Sequence, residues 1–231
     1  MLIAGRRIAR ALASMLMVGT LMAGCATSTQ PPPDMDGLVL QPSKGLDAVY
    51  LRPGTNFKDY GNIVLQPVQV EFDKNWDPNS PQPDVSRRLS EQDIQKIKDE
   101  MASEFRSIFV NELESSGYPV IEVAGADSLV TTATLTDVYI NAPDTLAPGR
   151  SQTYTTESGR MTLLMELHDG ASGLLIGRVV DRTIGDNFNR LEVTNGVTNS
   201  ADFRRAVADW AVRVRKGLDT LRSDAIRPRR E

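Results

Sequence analysis

An α+β domain is what this sequence predicts, with one mostly antiparallel or mixed sheet of about five strands and two long amphipathic helices packed on one face. Three observations lead there. Two long segments, residues 89–116 and 199–222, repeat apolar residues every three or four positions, the period of a helix with one buried face. Several shorter segments alternate apolar and polar residues, the period of a half-buried strand. Their order is strand, helix, four strands, helix, which does not give the regular strand–helix alternation of a parallel α/β fold.

Each element has its own justification. Residues 46–60 read as irregular, with Pro53-Gly54 marking a turn. Residues 62–72 read as the first strand, because Val68, Val70 and Phe72 alternate with Gln69 and Glu71. Pro67 lacks a backbone donor, so that strand is expected at an edge or with a bulge. Residues 73–86 form a loop rich in Pro, Asn and Asp. In the first helix, Ser90 with Asp93 gives a cap, Ile94, Ile97, Met101, Phe105, Ile108 and Leu113 form the stripe, and Gly117 is placed to end it. Residues 118–123 read as a short strand and 129–140 as a longer one, whose alternation changes phase near Thr136-Asp137 and so predicts a bulge. Residues 153–168 read as one strand, with Met161, Leu163, Met165 and Leu167 on one face and Arg160, Thr162, Glu166 and His168 on the other. Asp169-Gly170-Ala171-Ser172-Gly173 turns the chain into a hairpin partner over 174–183. Residues 185–199 read as a polar loop. Asn199 or Ser200 then caps the last helix, whose stripe is Phe203, Val207, Trp210, Val214, Leu218 and Leu221.

The first residues carry a different signal. Arg6, Arg7 and Arg10 precede a mostly apolar run over 11–21, then Leu21-Met22-Ala23-Gly24-Cys25. A positive start and a short apolar run make a signal peptide, too short for a membrane span of roughly 20 apolar residues. Residues 21–25 resemble the lipobox of bacterial lipoprotein precursors, with Met22 where Leu is more usual. The resemblance implies cleavage between Gly24 and Cys25 and lipidation of Cys25, whose sulfur takes a diacylglycerol and whose new amino group takes a further acyl chain. Several chains together anchor stably where one does not. Ala26, where Asp would retain such a protein in the inner membrane, implies sorting to the outer membrane, facing the periplasm.

The expected organisation is therefore a signal peptide over 1–24, a lipidated Cys and Pro-rich tether over 25–45, one domain over 46–222, and a basic tail over 223–231. Thr27-Ser28-Thr29-Gln30-Pro31-Pro32-Pro33 is polar and proline-rich, as a spacer requires. The chain is 40% hydrophobic and 24% charged, enough apolar material for a real core. Its net charge is −4, and removing the leader's three Arg makes the remainder more acidic, which argues against nucleic acid as a partner. Cys25 is the only cysteine, so no internal disulfide forms.

Beyond the leader, Tyr50-Leu51-Arg52-Pro53-Gly54, Asp59-Tyr60-Gly61 through Pro67-Val68, Ala126-Asp127-Ser128-Leu129 leading to Asn141-Ala142-Pro143, and the hairpin from Met165 to Asp181 resemble a set of bacterial lipoproteins, domain of unknown function family 3313, over roughly residues 46–222. That resemblance implies location and fold but no activity. The element order alone is also similar to periplasmic domains of accessory lipoproteins, such as activators of peptidoglycan synthases.

The candidate chemistry is sparse. His168 is the only histidine, with Glu166 two residues before it and Asp169 after, which suits a general-base pair or part of a metal site. The plainer reading is an exposed histidine beside a hairpin turn. The turn 169–173 is oxygen-rich but lacks the ligand series of a calcium loop. Glu166 and Asp181 read as two carboxylates across one hairpin, better explained as surface charge than as a glycosidase pair. Trp76 either folds back on the domain or offers a contact, and folding back is favoured. From Phe203 onward, nine Lys or Arg face four Asp or Glu. That strip suits an anionic surface or, as favoured here, a solvated helix face with Arg stems over apolar surface. No nucleophile elbow, phosphate loop or paired-Cys motif occurs. No catalytic, metal or cofactor residue is therefore assigned. The expectation is a non-enzymatic envelope protein that binds or supports an envelope protein partner. A module for lipid, glycan or cell-wall fragments is the alternative, and a cell-envelope hydrolase ranks last.

Overall fold

The longest strand organises the molecule. In the computed structural model, which describes residues 31–79, 88–140, 153–155, 159–184, 192–194 and 196–223, Ser128–Ile140 (β6) runs through the sheet with its odd residues Leu129, Ala133 and Leu135 buried. Gly159–Asp169 (β8) pairs with it antiparallel, and Leu175–Ile184 (β9) pairs with β8. The register slips between Thr136 and Tyr139, with Asp137 at φ 52°. This is the bulge that the change of phase foretold, an extra residue that reverses which side chains face the core.

The stretch 62–72 is two strands, not one. Asn62–Leu65 (β4) pairs parallel with 128–131 of β6, and Gln69–Phe72 (β5) pairs parallel with it from Thr134 to Val138. Pro67 lies in the gap between them, where its missing N–H breaks the ladder. The expected strand at 118–123 is only a bridge from Val120 to Ile63, flanked by bonds from Ile63 N to Pro119 O and Ile121 N to Ile63 O.

The sheet is also wider than expected. Asp34–Met35 (β1), Leu38–Gln41 (β2) and Ala48–Leu51 (β3) add three antiparallel strands beside β9. The order is β1-β2-β3-β9-β8-β6-β4, with β5 also on β6, giving eight strands in a mixed sheet rather than about five. This corrects the expected tether over 25–45, because Leu38 is fully buried and 38–41 is sheet. Asp36-Gly37, both at positive φ, form the hairpin turn, and Asp-Gly is the turn that such hairpins prefer. The signal peptide, Cys25 and tail residues 224–231 lie outside the described residues.

The strand expected at 153–168 is likewise divided. Thr153–Thr155 (β7) pairs with Glu192–Thr194 (β10) in a separate two-stranded sheet. The main sheet resumes at Gly159, where a Cβ would stand 2.7 Å from Tyr139 O.

Two helices cover one face. Glu91–Ser115 (α1) starts at Ser90, whose Oγ accepts from Asp93 N at 3.2 Å while Asp93 accepts from Ser90 N at 2.8 Å, a reciprocal cap. Gly117, at φ 82°, lies just past its end. Gly196–Ser223 (α2) begins before the expected cap at 199–200. Phe105 and Phe109 stack at 4.2 Å and, with Val207, Trp210 and Leu218, close the core over Leu135, Leu163 and Met165. A smaller cluster, Leu38, Ala48 and Tyr50 with Val180 and Leu175, forms where the first strands join the sheet.

Candidate functional site

The pleat puts Val130, Thr132 and Thr134 of β6 on the sheet's other face, together with Glu166 and His168 of β8. These residues are half-buried, unlike their fully buried neighbours facing the helices. An open groove of about 550 Å³ lies on this outer face, within the size range of small-ligand sites. One wall is Gln66, Pro67 and Gln69 at the break between β4 and β5, and the other is His168, Asp169, Gly170 and Gly173 at the hairpin end of β8.

The charges beside this groove are committed to one another. Arg178 donates to Glu166 Oε1 from Nε at 3.1 Å and from Nη2 at 2.7 Å, and its Nη1 reaches Asp36 Oδ2 at 2.7 Å. His168 Nε2 lies 3.4 Å from the other Glu166 oxygen, and His168 Nδ1 lies 3.2 Å from Gly173 O. Both neighbours are acceptors, so a neutral ring donates to one of them at a time, and these two contacts hold the only histidine against its own hairpin.

Asp169 is the turn's anchor. Its Oδ1 accepts from Ser172 N at 2.7 Å and Ser172 Oγ at 2.5 Å, and its Oδ2 accepts from Tyr60 OH at 3.0 Å. The Ser172 donors hold this carboxyl below the usual range, and with both oxygens taken the loop is explained by turn chemistry. Among the described residues, no group of three or more His, Cys, Asp or Glu is placed to hold a metal. Gly170 donates to Ser128 O at 2.9 Å, and a Cβ there would stand 2.5 Å from Gly125 O and 2.6 Å from Ser128 O. The neighbours are backbone, so Gly170→Ala is expected to cost about 1–3 kcal/mol through forced displacement, read as a lower midpoint in a urea melt.

The same end of the molecule carries a proton-linked pair. Burial, reinforced by Asp169, pushes the Tyr60 hydroxyl up to about 12. Burial, reinforced by Asp219 at 2.6 Å, pushes Tyr118 up to about 12. The native state therefore keeps phenol protons that the unfolded chain releases near pH 10, so stability falls as pH rises from about 10 to 12. Tyr60→Phe and Tyr118→Phe should each flatten that loss, seen in chemical melts across the alkaline range.

Asp181 is not surface charge paired with Glu166. In register it faces Leu163, whereas Glu166 faces Arg178, so the two carboxylates point to opposite sides of the sheet. Asp181 is 4% exposed beneath α2. It accepts from Trp210 Nε1 at 2.7 Å, Asp47 N at 2.8 Å and Arg213 Nη1 at 3.3 Å. Burial nevertheless raises its carboxyl above the usual range. Reading the sequence missed this network, although an acid on the core-facing phase of β9 was the available signal. Trp76 folds back as expected, stacked 3.9 Å from Phe72 and donating to Ile140 O at 3.0 Å.

The basic strip of α2 is largely tied down among the described residues. Arg215 meets Glu112 and Asp219, Arg213 meets Asp181, and Arg222 stacks 4.2 Å over Tyr118 while donating to Tyr60 O. No described helix is long and apolar enough to cross a membrane.

A family model described as a protein of unknown function (DUF3313) matches residues 36–214. No curated protein matches the chain in sequence. Similar solved structures include the PelC dodecamer from Paraburkholderia phytofirmans, 13% identical over 71% of this chain and 96% of that one, with a TM-score of 0.33. A neuraminyllactose-binding hemagglutinin homolog from Helicobacter pylori is 13% identical over 79% of this chain and 94% of its own, with a TM-score of 0.37. A DUF4136 family protein from Bacteroides thetaiotaomicron is 14% identical over 81% and 98%, with a TM-score of 0.35. Likenesses this distant carry no conclusion about activity or ligands.

Proposed function

The chain belongs to the DUF3313 family of proteins of unknown function, and from that premise we propose that it is a lipid-anchored cell-envelope protein that binds or supports another protein and catalyses no reaction. The observation that carries the proposal is the only cysteine, Cys25, placed directly after an apolar leader ending Met22-Ala23-Gly24. The position of Ala26 supports the outer membrane, with the domain facing the periplasm. The absence of catalysis is supported by His168, which rests against its own hairpin at Gly173 O and at Glu166, a carboxylate already held by Arg178. The alternative, a module for lipid, glycan or cell-wall fragments, is favoured by the open groove.

Cys25→Ser is expected to abolish acylation, since a hydroxyl does not replace the thiol that receives the lipid. Mass spectrometry of the mature N-terminus reads this directly, and an unlipidated N-terminus at Ala26 or beyond would overturn the anchor. Crosslinking in intact envelopes, followed by purification of this chain, tests the partner. Recovery of the chain alone would count against an accessory role.

A further inference from the structure

Residues 34–41 join the sheet at one edge. β1 pairs with β2, and β2 meets β3 at three register pairs, Val39 with Leu51, Leu40 with Tyr50 and Gln41 with Val49. Val49, Leu51 and Val179 belong to the main core beneath the helices, so the alternation of β3 turns Ala48 and Tyr50 to the opposite face. There they form the small cluster with Leu38, which neither helix covers.

The two ends of this hairpin are held differently. At the turn, Asp36 Oδ2 accepts from Arg178 Nη1 at 2.7 Å, and Asp36 O accepts from Arg52 Nη2 at 3.1 Å. Both arginines are themselves fixed, Arg178 by Glu166 and Arg52 by Leu175 O at 2.7 Å. The Asp36 side chain is 59% exposed, and an ion pair so open to water is weak and readily exchanged. Past β2 the chain is pinned to the body of the domain. Arg213 Nη1 donates to Gly45 O at 2.8 Å, Asp47 N donates to Asp181 Oδ1 at 2.8 Å, and Arg182 N donates to Asp47 Oδ2 at 2.9 Å. Gly45, at φ 89°, follows the exposed stretch 42–44 and has the freedom of a hinge. Closure also carries a cost. Among the described residues, the Tyr50 hydroxyl has no protein partner although Tyr50 is 1% exposed, and an unpaired buried hydroxyl disfavours the state that buries it.

We propose that residues 33–44 are a strap that opens as one unit about Gly45 while the rest of the domain stays folded, with Asp36 as its latch. Opening breaks the latch and the three β2–β3 pairs, exposes Leu38, and hydrates the Tyr50 hydroxyl. The main core stays intact because it contains none of residues 33–44, and a unit of this kind opens at a lower free energy than global unfolding. In the anchored chain, opening lengthens the segment between Cys25 and the first fixed residue from residues 26–32 to residues 26–44. That consequence rests on the anchor proposed above; the strap itself rests on the domain alone.

Residue-resolved hydrogen exchange in low urea tests the strap on the full chain, purified from membranes in detergent. Three amides report: Leu40, which donates to Pro33 O, Asp47, which donates to Asp181, and Leu163 in the core. Leu40 should exchange through an opening with a smaller urea dependence than that of Leu163, because less surface is exposed. Asp47 should stay protected when Leu40 opens. Asp36→Asn keeps a residue suited to the turn and removes the charge, so Leu40 should exchange on the order of fivefold faster. Tyr50→Phe removes the unpaired hydroxyl, so Leu40 should exchange roughly fivefold slower. One exchange free energy and one urea dependence for Leu40 and Leu163 would mean that the hairpin opens only with the whole domain, which overturns the strap. Asp47 opening together with Leu40 overturns the hinge at Gly45. An unchanged rate in Asp36→Asn overturns the latch, and an unchanged or faster rate in Tyr50→Phe overturns the cost of closure. An unacylated Cys25 in the mass spectrum removes only the lengthened tether, and the strap still stands or falls on the exchange.

Discussion

Trp210→Ala should destabilise the domain by about 3–5 kcal/mol, the range for deleting a buried large aromatic. Two losses combine at this position. The indole is 1% exposed and packs in the main core, so its removal leaves a cavity between α2 and the sheet. The indole Nε1 also donates to Asp181 at 2.7 Å, and that carboxylate is itself buried. Trp210→Phe separates the two effects. It retains most of the apolar volume and removes only the donor, a hydrogen bond to a charged group worth about 1.5–3 kcal/mol. Urea melts of both variants provide the measurement. A cost for Trp210→Ala no larger than that for Trp210→Phe would mean the ring is not a core residue. A silent Trp210→Phe would mean Asp181 keeps enough donors from Asp47 N and Arg213. Since a typical domain is stable by roughly 5–15 kcal/mol, the alanine variant should approach the edge of folding.

Where a pattern was long enough to have a period, the sequence showed the fold. The two helix stripes, the capping box at Ser90, the alternation of Met161, Leu163, Met165 and Leu167, and the bulge at Thr136-Asp137 all have local causes. What escaped notice was short or depended on distant partners. β1 has only two residues and β2 and β3 four each, too few to establish alternation, although Asp36-Gly37 offered a hairpin signal. Pro67 was recognised as an irregularity, yet its consequence depended on β6 continuing straight past it. The groove had no sequence signature at all. It is formed by the gap between two parallel strands and by a hairpin end far later in the chain, so only the register brings its walls together. For Asp181, the prior favouring exposure of carboxylates outweighed its position on the buried phase of β9.

The extent of the domain at its N-terminal end leads to the second large effect. If residues 25–45 were only a tether, Leu38→Ala would be silent. In the sheet, Leu38 is fully buried against Ala48 and Tyr50, and it is paired in register with Met35 across the Asp36-Gly37 turn. Its truncation is therefore expected to cost about 2–5 kcal/mol, the usual range for a buried leucine. The lower part of that range applies if the edge hairpin can collapse onto the gap, because the cost depends on how far the site relaxes. Val39→Ala is the internal control. It is the next residue on the same strand, its side chain points the opposite way, and it is 38% exposed, so it should stay within about 0.5 kcal/mol of wild type. The pair is measured by urea denaturation, followed by hydrogen exchange at Tyr50 and Leu51 of β3, the strand that β2 covers. Faster exchange there in Leu38→Ala, with protection intact at Leu163 and Met165, would place the loss in the first strands. Equal exchange at all four amides, with a lowered urea midpoint, would instead mean that the small cluster and the main core unfold together. An unchanged midpoint for Leu38→Ala would return residues 38–41 to the tether.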